Sequence, residues 1–499
     1  MAENELKNKN SVGSSHKKGF AKFGEKIKTG LKKFGRGFVS LPKNFVKLCV
    51  KIGTGVRDGV KNYVSIFREG DLGVRLSFVV MGAGAFARKQ IAKGVTYLAI
   101  QLLFIFYMIF NGAGAIKGFF TLGTEFTYDI HYLNNGTTSA VQGDNSMLCL
   151  LFGVVAIAVI VAFIVMYFSN IRSANESYEN SIVGRKLPTF KDDLKDLFDN
   201  KFYVVLLAVA LIGVIAFTVL PLVFMILIAF TNFDQDHSAT SGFNWVGLDN
   251  FKSLVGTTGL STTFFPVLGW TLLWALCATF LNYFLGVALA LLINKKDIKG
   301  QKVWRTFFVL TIAIPQFVSL LLMRQLLGPF GPIMELFGKT GTDLFDNTNT
   351  ARMIIIMVNL WIGIPYSMLI TSGILMNIPA DLYESARIDG AGKLTMFRKI
   401  TLPYILFVTG PYLITQFIGN INNFNIIYLL TGGGPFGEAG YSDGAGGTSL
   451  LVTWLYTMTG NSNYKLASTL GILTFIVCSI VSLITYRNSS ASKNEEDFQ

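Results

Sequence analysis

Long, continuously apolar runs separated by short polar segments dominate the chain from about residue 94 onward. A helix needs about 20 apolar residues to cross the hydrocarbon core of a bilayer, and eight runs reach that length. They are residues 94–116, 147–168, 202–230, 267–293, 304–327, 353–376, 404–430 and 466–486. Because apolar and polar residues do not alternate within these runs, helices are favoured over barrel strands. The pattern predicts an all-α polytopic membrane protein with eight transmembrane helices.

The composition supports this prediction. Hydrophobic residues make up 51% of the chain and charged residues 15%, whereas a soluble domain contains about 25% charged residues. The four cysteines are far apart and match no disulfide or zinc spacing. Three histidines are too few for a His-rich metal site. A soluble metalloenzyme and a disulfide-rich secreted domain are therefore excluded.

Positive charge is unevenly distributed, and its distribution predicts the orientation in the membrane. Residues 1–93 contain 20 Lys and Arg against 6 Asp and Glu, whereas the rest of the chain contains 23 against 24. With a cytoplasmic N-terminus, the inner segments after residue 93 contain 16 Lys and Arg and the outer segments contain 5. Since cytoplasmic loops are enriched in Lys and Arg, we expect both termini in the cytoplasm.

The basic N-terminal region has an amphipathic pattern of its own. Six apolar residues recur at intervals of three and four, with basic residues between them: Phe20, Phe23, Ile27, Leu31, Phe34 and Phe38. Such a helix is suited to lie on an anionic membrane surface. The alternative is a basic tail that only fixes the topology, because four glycines weaken the helix. The apolar spans that follow favour membrane lipid over nucleic acid as the partner.

The chain divides into four predicted segments. Residues 1–93 form a cytoplasmic basic region that ends in an interfacial elbow or buried piece at 76–87, which is too short to cross a bilayer. Residues 94–201 contain the first two spans and a cytoplasmic linker. Residues 202–486 contain the other six spans, and residues 487–499 form a cytoplasmic tail.

The interiors of the predicted spans contain no Asp, Glu, Lys, Arg or His, and Arg324 lies near the outer end of the fifth. Ion-coupled carriers, pumps and voltage sensors need ionisable groups at membrane depth, so these mechanisms are disfavoured. A passive channel, or a transporter that receives its energy from another subunit, is compatible with this composition.

Neither a nucleotide site nor a metal site is predicted. Gly392-Lys393 is followed by Leu394, where a phosphate-binding loop needs Ser or Thr for magnesium. Asp234, Asp236 and His237 form a small cluster, but the further ligands of a metal site are missing. We interpret this cluster as a solvated turn.

The loop between the sixth and seventh spans, residues 377–403, has the most distinctive pattern. Pro379 suits the first turn of a helix, and Glu384 favours the positive end of the helix dipole. Gly390 allows a sharp bend after that helix. A short helix that projects into the cytoplasm would fit the groove of a partner protein. The alternative is an ordinary connecting loop.

This loop resembles the EAA loop of ABC-importer permeases. The matching residues are Glu384-Ser385-Ala386, Asp389-Gly390-Ala391 and Ile400-Thr401-Leu402-Pro403, with Ser385 in place of the usual Ala. In that family the short helix of the loop is the coupling helix, which docks on a separate ATPase subunit. The resemblance implies a type I ABC-importer permease core over residues 202–486. It also implies that the chain itself holds no cofactor, because the partner ATPase binds ATP and Mg. The coupling residues that it implies are Glu384, Ser385, Ala386, Asp389, Gly390 and Ala391.

Within this family the chain is similar to the MalF-type permease of maltose and maltodextrin importers. Residues 359–366 in the sixth span and 419–424 in the seventh carry the similarity, together with 430–435. In MalF-type relatives the sugar site within the membrane lies on these two spans. Gln416 and Gly419 differ in type from the commonest relatives. The resemblance implies eight substrate-binding residues: Asn359, Ile362, Gly363, Tyr366, Gln416, Gly419, Asn420 and Asn423.

The residue types in these segments independently suggest a carbohydrate. Several amides crowd one apolar helix: Asn420, Asn422, Asn423 and Asn425. Amides bond hydroxyl groups, and aromatic faces cover the C–H surface of a sugar ring. Aromatic rings are available at Trp361, Tyr366 and Phe424. The alternative is that the amides bond between helices, and it is stronger for Asn422 and Asn425.

The resemblance implies a non-enzymatic permease subunit of an ATP-driven importer of maltose- or maltodextrin-type oligosaccharides in the bacterial plasma membrane. The implied partners are a second, MalG-like permease, two MalK-like ATPases, an extracellular sugar-binding protein, the oligosaccharide and membrane lipid, and no nucleic acid. One alternative is a permease for another oligosaccharide. A membrane-embedded transferase is another, but it needs clustered Asp, Glu or His at a membrane face. A passive channel would leave the loop at 377–403 unexplained.

Overall fold

The computed structural model describes residues 50–488, except 52–53, 56, 125–128, 133–137, 142, 186, 188, 257–259 and 296–297. The predicted amphipathic helix at residues 20–38 lies outside this range. The described part contains eight helices that are long and apolar enough to cross a membrane, which confirms the predicted number. These helices, called spans 1 to 8, are Ile91–Thr121, Ser146–Ile182, Phe202–Ile228, Ser261–Ile293, Gln316–Leu336, Thr348–Met376, Lys393–Leu430 and Tyr464–Ile484.

Several spans change helical type or break along their length. Short π-helical turns interrupt spans 1, 3 and 7, at Met108–Gly112, Ile215–Val219 and Phe397–Thr401. Span 7 also breaks between its helices Leu402–Ile421 and Phe424–Leu430. Two short helices precede span 1, at Leu72–Leu76 and Ala83–Ala87. Others lie between the spans: Phe190–Phe198, Asp249–Val255, Gln301–Ala313, Ala380–Ile388 and Leu451–Gly460. One antiparallel hairpin pairs Asp129–Tyr132 with Thr138–Val141, with Asp129 opposite Val141.

The predicted bounds of the fifth span, 304–327, are wrong. The structure has two helices there, Gln301–Ala313 and Gln316–Leu327, with extended backbone between them at Ile314 (ψ 126°) and Pro315 (ψ 129°). Proline lacks an N–H group and disfavours the helical conformation of the residue before it. The first helix therefore ends at Ala313, before Pro315, and span 5 begins at Gln316 and continues through Pro332–Leu336.

The described residues within 1–109 and 159–208 form one compact unit. In its described part, the segment at 76–87 folds against span 2 through Asn170. The Asn170 amide donates to the carbonyl of Ser77 (3.1 Å) and accepts from the backbone N–H of Gly82 (2.9 Å). The Tyr167 hydroxyl donates to the carbonyl of Phe78 (2.8 Å). These bonds satisfy backbone groups that two short helices leave free.

The described residues within 110–158 and 209–499 form the second unit, and spans 4 and 6 pack in parallel in its core. Near their N-terminal ends, the Arg352 guanidinium lies over the Trp270 ring (4.4 Å). Near their C-terminal ends, the Asn294 amide donates to the Ser372 hydroxyl (3.0 Å). Because these contacts advance together along both helices, the two spans run in the same direction.

The glycine-rich segment after span 7 folds onto the N-terminal ends of spans 4 and 6. Arg352 donates to the carbonyl of Gly447 (2.9 Å) and to the hydroxyl of Tyr441 (2.9 Å). The Trp270 indole donates to the carbonyl of Thr448 (3.1 Å). Residues 445–450 are buried, so this segment forms part of the core of the unit.

Candidate substrate pathway and coupling site

Span 4 connects the two segments that are predicted to bind substrate. The Asn420 amide in span 7 donates to the Thr279 hydroxyl in span 4 (3.0 Å), and the Trp274 indole donates to the Asn420 carbonyl (3.1 Å). About one turn along span 4, the Asn282 amide lies against the backbone of Gly363 in span 6. The structure therefore brings both predicted segments together on a helix that sequence reasoning did not include in the site.

Spans 6 and 7 also meet through aromatic and hydroxyl groups. The rings of Tyr366 in span 6 and Tyr412 in span 7 lie 6.3 Å apart, centroid to centroid. The Tyr283 hydroxyl in span 4 shares a hydrogen bond of 2.6 Å with the Thr409 hydroxyl in span 7. Spans 4, 6 and 7 thus carry a belt of polar, uncharged groups across the apolar interior.

The predicted substrate residues differ in how open they are. Tyr366 is 45% exposed, and the space beside Gly419 is empty to 4 Å. Three further residues are half-buried: Gln416, Asn420 and Asn423. The remaining three lie within the helix packing: Asn359 is 6% exposed, Ile362 packs against the core, and Gly363 contacts Asn282. Ile362 and Gly363 are half-buried as well, so Asn359 is the one buried residue among the eight in this conformation.

Two buried amide atoms lie on facing sides of spans 4 and 6. The Nδ2 atom of Asn359 and the Oδ1 atom of Asn282 are both buried, and neither has a hydrogen-bond partner among the described residues. A buried polar group without a partner costs about 1–3 kcal/mol. Asn282 is the residue that sequence reasoning missed. The small residues Gly286 in span 4 and Gly363 and Ser367 in span 6 are typical of a close helix pair, but they do not single out Asn282.

The amides of span 7 have different environments. Asn423 ends the break in the span: its side chain accepts from the N–H of Ile426 (3.5 Å) and donates to the Asn420 side chain (3.3 Å). Asn422 donates to the sulfur of Cys478 in span 8 (3.5 Å), which is the helix-to-helix role considered for it. Asn425 is exposed, so the structure gives no support to that role for Asn425.

The predicted coupling loop contains a helix, a turn and a second short helix. Helix Ala380–Ile388 begins after Pro379, and Gly390 follows it with a φ of +76°, which favours glycine. The N–H of Ala391 bonds the carbonyl of Ala386 (2.9 Å) and closes the turn. Among the six predicted coupling residues, four are exposed and two are half-buried. The exposed ones are Glu384, Ser385, Asp389 and Gly390, and the half-buried ones are Ala386 and Ala391.

Two features of this loop were not predicted. Ile388, at the end of the helix, is 88% exposed, and Leu382 is 47% exposed. The Tyr383 hydroxyl shares a hydrogen bond of 2.8 Å with the Thr401 hydroxyl at the start of span 7. The helix therefore exposes an apolar surface, and a hydrogen bond connects it to the first part of span 7.

The acidic cluster near residue 234 is an ion pair and a turn. Asp234 accepts from His237 (2.9 Å) and pairs with Lys465 at the start of span 8. Burial raises the pKa of Asp234, but these partners outweigh it and lower the pKa to about 2. The prediction of a solvated turn fits Asp236, which is exposed. It does not fit the Asp234 side chain, which is only 17% exposed. Within the described ranges, no three His, Cys, Asp or Glu side chains group as metal ligands.

These helices and their uncharged polar belt are features of a membrane-embedded transport subunit. Residues 282–493 match the family model "Binding-protein-dependent transport system inner membrane component". The galactooligosaccharides transport system permease protein GanP of Bacillus subtilis is 34% identical over 84% of this chain and 97% of its own length. The maltodextrin transport system permease protein MdxF of the same organism is 33% identical over 84% and 95%. The maltose/maltodextrin transport system permease protein MalF of Klebsiella aerogenes is 35% identical over 48% of each chain.

The chain belongs to the MalF-type family of binding-protein-dependent permeases, which confirms the resemblance carried by its EAA loop. Its relatives are permease subunits of importers, so the chain is a transport component rather than an enzyme. Its eight apolar helices and its family make it a multi-pass protein of the plasma membrane.

Proposed function

We propose that the chain is the permease subunit of an ATP-driven importer of neutral oligosaccharides of the maltodextrin class. The observation that carries this proposal is the belt of amides, hydroxyls and aromatic rings on spans 4, 6 and 7. Its members are uncharged: Thr279, Tyr283, Tyr366, Thr409, Tyr412 and Asn420. Amides and tyrosine rings match the hydroxyl groups and C–H faces of a neutral sugar. The relatives with maltodextrin and galactooligosaccharide in their names support the same substrate class.

In this proposal five of the eight residues contact the sugar, and the other three, which lie in the packing around span 6, form the wall behind them. The contacts are made by Tyr366, Gln416, Gly419, Asn420 and Asn423. Asn359, Ile362 and Gly363 hold span 6 against span 4, so their replacement acts through the position of Tyr366. A second permease closes the other side of the pathway, since the Tyr366 ring is 45% exposed in this chain alone.

Energy reaches the pathway through helix Ala380–Ile388. Its exposed apolar residues Leu382 and Ile388 are suited to a groove on a partner, and we assign that groove to a MalK-like ATPase subunit. The bond between Tyr383 and Thr401 then transmits movement of the helix to span 7, which carries Asn420. ATP and Mg are held by the two ATPases, and an extracellular binding protein delivers the sugar.

This arrangement requires both termini in the cytoplasm, as the distribution of Lys and Arg indicates. A membrane-impermeant thiol reagent tests it on intact cells, with single cysteines introduced on a background from which the four native cysteines are removed. A cysteine at Gly437, in the segment after span 7, should be labelled. A cysteine at Gly392 should be labelled only after the cells are opened, and the reverse pattern would contradict the orientation.

Transport itself is tested in vesicles that contain this chain, its second permease and the ATPases, with the binding protein outside. We expect ATP-dependent uptake of labelled maltodextrins. The identity to the galactooligosaccharide permease favours galactooligosaccharides as the second candidate, so both sugars are supplied separately. Uptake of galactooligosaccharides alone would make them the substrate class in place of maltodextrins. Uptake of neither sugar would contradict the proposal.

A further inference from the structure

A second aromatic surface lies next to the proposed sugar contacts, on helix Phe424–Leu430. Three residues on one side of this helix are fully buried: Ile426, Ile427 and Leu430. The other side carries Phe424, Asn425 and Tyr428, of which Asn425 is exposed and Tyr428 is 37% exposed. The helix begins directly after Asn423, so this side continues the path of proposed contacts beyond the break in span 7.

Tyr456 from the helix Leu451–Gly460 completes the surface. Its ring lies 4.9 Å from that of Phe424 and 5.1 Å from that of Tyr428, at angles of 65° and 74°. The rings of Phe424 and Tyr428 are stacked, 4.7 Å apart and 20° from parallel. Tyr456 is 49% exposed, although its own helix buries Trp454 and Met458 on the opposite side. The three rings therefore hold one another in place while two of them keep open faces.

We propose that Phe424, Asn425, Tyr428 and Tyr456 form an outer sugar subsite, which binds a further ring of the oligosaccharide beyond Asn423. This proposal rests on the proposed function. Fixed aromatic rings offer a C–H stacking surface at little entropic cost, and the exposed amide of Asn425 offers both a donor and an acceptor for ring hydroxyls. The sequence indicated Phe424 and Asn425 but not the two tyrosines, because Tyr456 is 28 residues from Tyr428 and joins it through folding alone.

The rings could instead anchor the chain in the bilayer or form a subunit interface. Aromatic residues anchor membrane proteins at the bilayer surface, but such an anchor needs no exposed amide among its rings. An interface with the second permease would also cover aromatic rings. The continuity with Asn423, which bonds Asn420, favours the sugar, because the aromatic surface begins directly after these two amides along span 7.

The subsite predicts an effect that depends on sugar length. A disaccharide held at Tyr366 and Asn420 does not need the outer rings, whereas a pentasaccharide reaches them. In the assembled importer, Tyr456→Ala should raise the concentration for half-maximal uptake of maltopentaose about three- to tenfold and leave that of maltose within about twofold. Tyr456→Phe keeps the ring and should restore most of the pentasaccharide affinity. Phe217→Ala, at an 85% exposed ring on span 3, is the matched control and should change neither.

The outcomes separate the alternatives. Equal losses for both sugar lengths, or unchanged uptake in Tyr456→Ala, would overturn the subsite while wild-type transport still upholds the proposed function. Loss of the second permease from purified Tyr456→Ala complexes would assign the rings to a subunit interface and would also overturn it. Failure of the wild type to import either sugar would contradict the proposed function itself.

Discussion

The side-chain amide of Asn282 in span 4 occupies the space that a Cβ atom on Gly363 in span 6 would need. Its Cγ lies 2.5 Å from that position, closer than real Cβ contacts allow. One turn further along, a Cβ on Gly286 would lie 3.0 Å from the backbone nitrogen of Met368 in span 6. The two helices therefore approach through small residues, as closely packed membrane helices do.

Gly363→Ala is expected to destabilise the permease, because the added methyl group has no room beside Asn282. Overpacking of this kind costs about 1–3 kcal/mol. Asn282→Ala removes the obstacle, so the double variant should recover stability that Gly363→Ala loses. Thermal unfolding of the four purified proteins in detergent measures the coupling between the two positions as a double-mutant cycle.

Gly373→Ala in the same span is the control for this cycle, since no heavy atom lies within 4 Å of the added Cβ. It should unfold like the wild type. A double variant that is no more stable than Gly363→Ala alone would show that Asn282 is not the obstacle.

Tyr366→Ala and Asn420→Leu should each lower maltodextrin uptake. Tyr366→Ala removes a stacking face, and Asn420→Leu removes a hydrogen-bond donor and acceptor together. Removing either interaction with the sugar costs about 1–3 kcal/mol, so uptake below saturation should fall about 10- to 100-fold. The measurement is the initial rate of labelled sugar uptake, normalised to the amount of assembled complex in the membrane.

The bond between Asn420 and Thr279 requires a separate control, because Asn420→Leu also breaks a helix-to-helix hydrogen bond. Thr279→Val breaks the same hydrogen bond from the other side and keeps the Asn420 amide. If the amide binds sugar, Asn420→Leu lowers uptake much more than Thr279→Val does. Equal decreases, or absence of the complex from the membrane, would assign Asn420 to helix packing.

The number of spans was predictable from sequence because continuous apolar length determines membrane crossing, whatever the local backbone does. The same reasoning failed at Pro315. Ile314 and its neighbours are as apolar as a spanning helix, so hydropathy carries no sign that the backbone turns extended there. Proline inside other spans is compatible with a continuous helix, as Pro365 in span 6 shows. A proline in an apolar run therefore does not by itself predict where the helix ends.

The candidate site also has a part that the sequence predicts and a part that it does not. The segments around Tyr366 and Asn420 were predictable because each has an unusual local sequence. Asn282 was not, since one amide in a long apolar helix has no local signal and its partner Gly363 lies 81 positions away. The coupling loop was predicted as a helix and turn because its proline and glycines act locally. The hydrogen bond between Tyr383 and Thr401 could not be predicted from the sequence, because it joins two residues that only the fold brings together.

Changes in the coupling loop should separate ATP hydrolysis from transport. Gly390 has a φ of +76°, where a residue with a Cβ is strained by about 1 kcal/mol or more, so Gly390→Leu should distort the turn. Glu384→Lys reverses the charge on the exposed side of the helix. Both variants should insert normally and lose sugar-stimulated ATP hydrolysis, measured on the reconstituted importer.

Gly392→Ala is the matched control for the turn, because Gly392 has a φ of −71° and open space beside it. It should keep sugar-stimulated hydrolysis. Wild-type stimulation in both Gly390→Leu and Glu384→Lys would count against helix Ala380–Ile388 as the docking element.

Asp234→Asn should weaken the attachment of the loop after span 3 to the start of span 8. The carboxylate pairs with Lys465 and bonds His237, and its pKa falls from 3.8 to about 2 in the folded chain. A lowered pKa stabilises the fold by about 1–2 kcal/mol above pH 4, and that contribution disappears as the pH falls from 4 to 2.

Thermal unfolding of the purified permease checks the role of Asp234 at several pH values. The difference in unfolding midpoint between wild type and Asp234→Asn should be largest at pH 6 and should shrink steadily below pH 4. Protonation of Asp234 at low pH removes the negative charge from the wild type, and the substitution removes it at every pH. Asp236→Asn, at an exposed carboxylate two residues away, controls for the loss of a nearby negative charge and should leave the midpoint unchanged. A gap that persists at pH 2, or an equal decrease in Asp236→Asn, would mean that the ion pair with Lys465 is not what holds the loop.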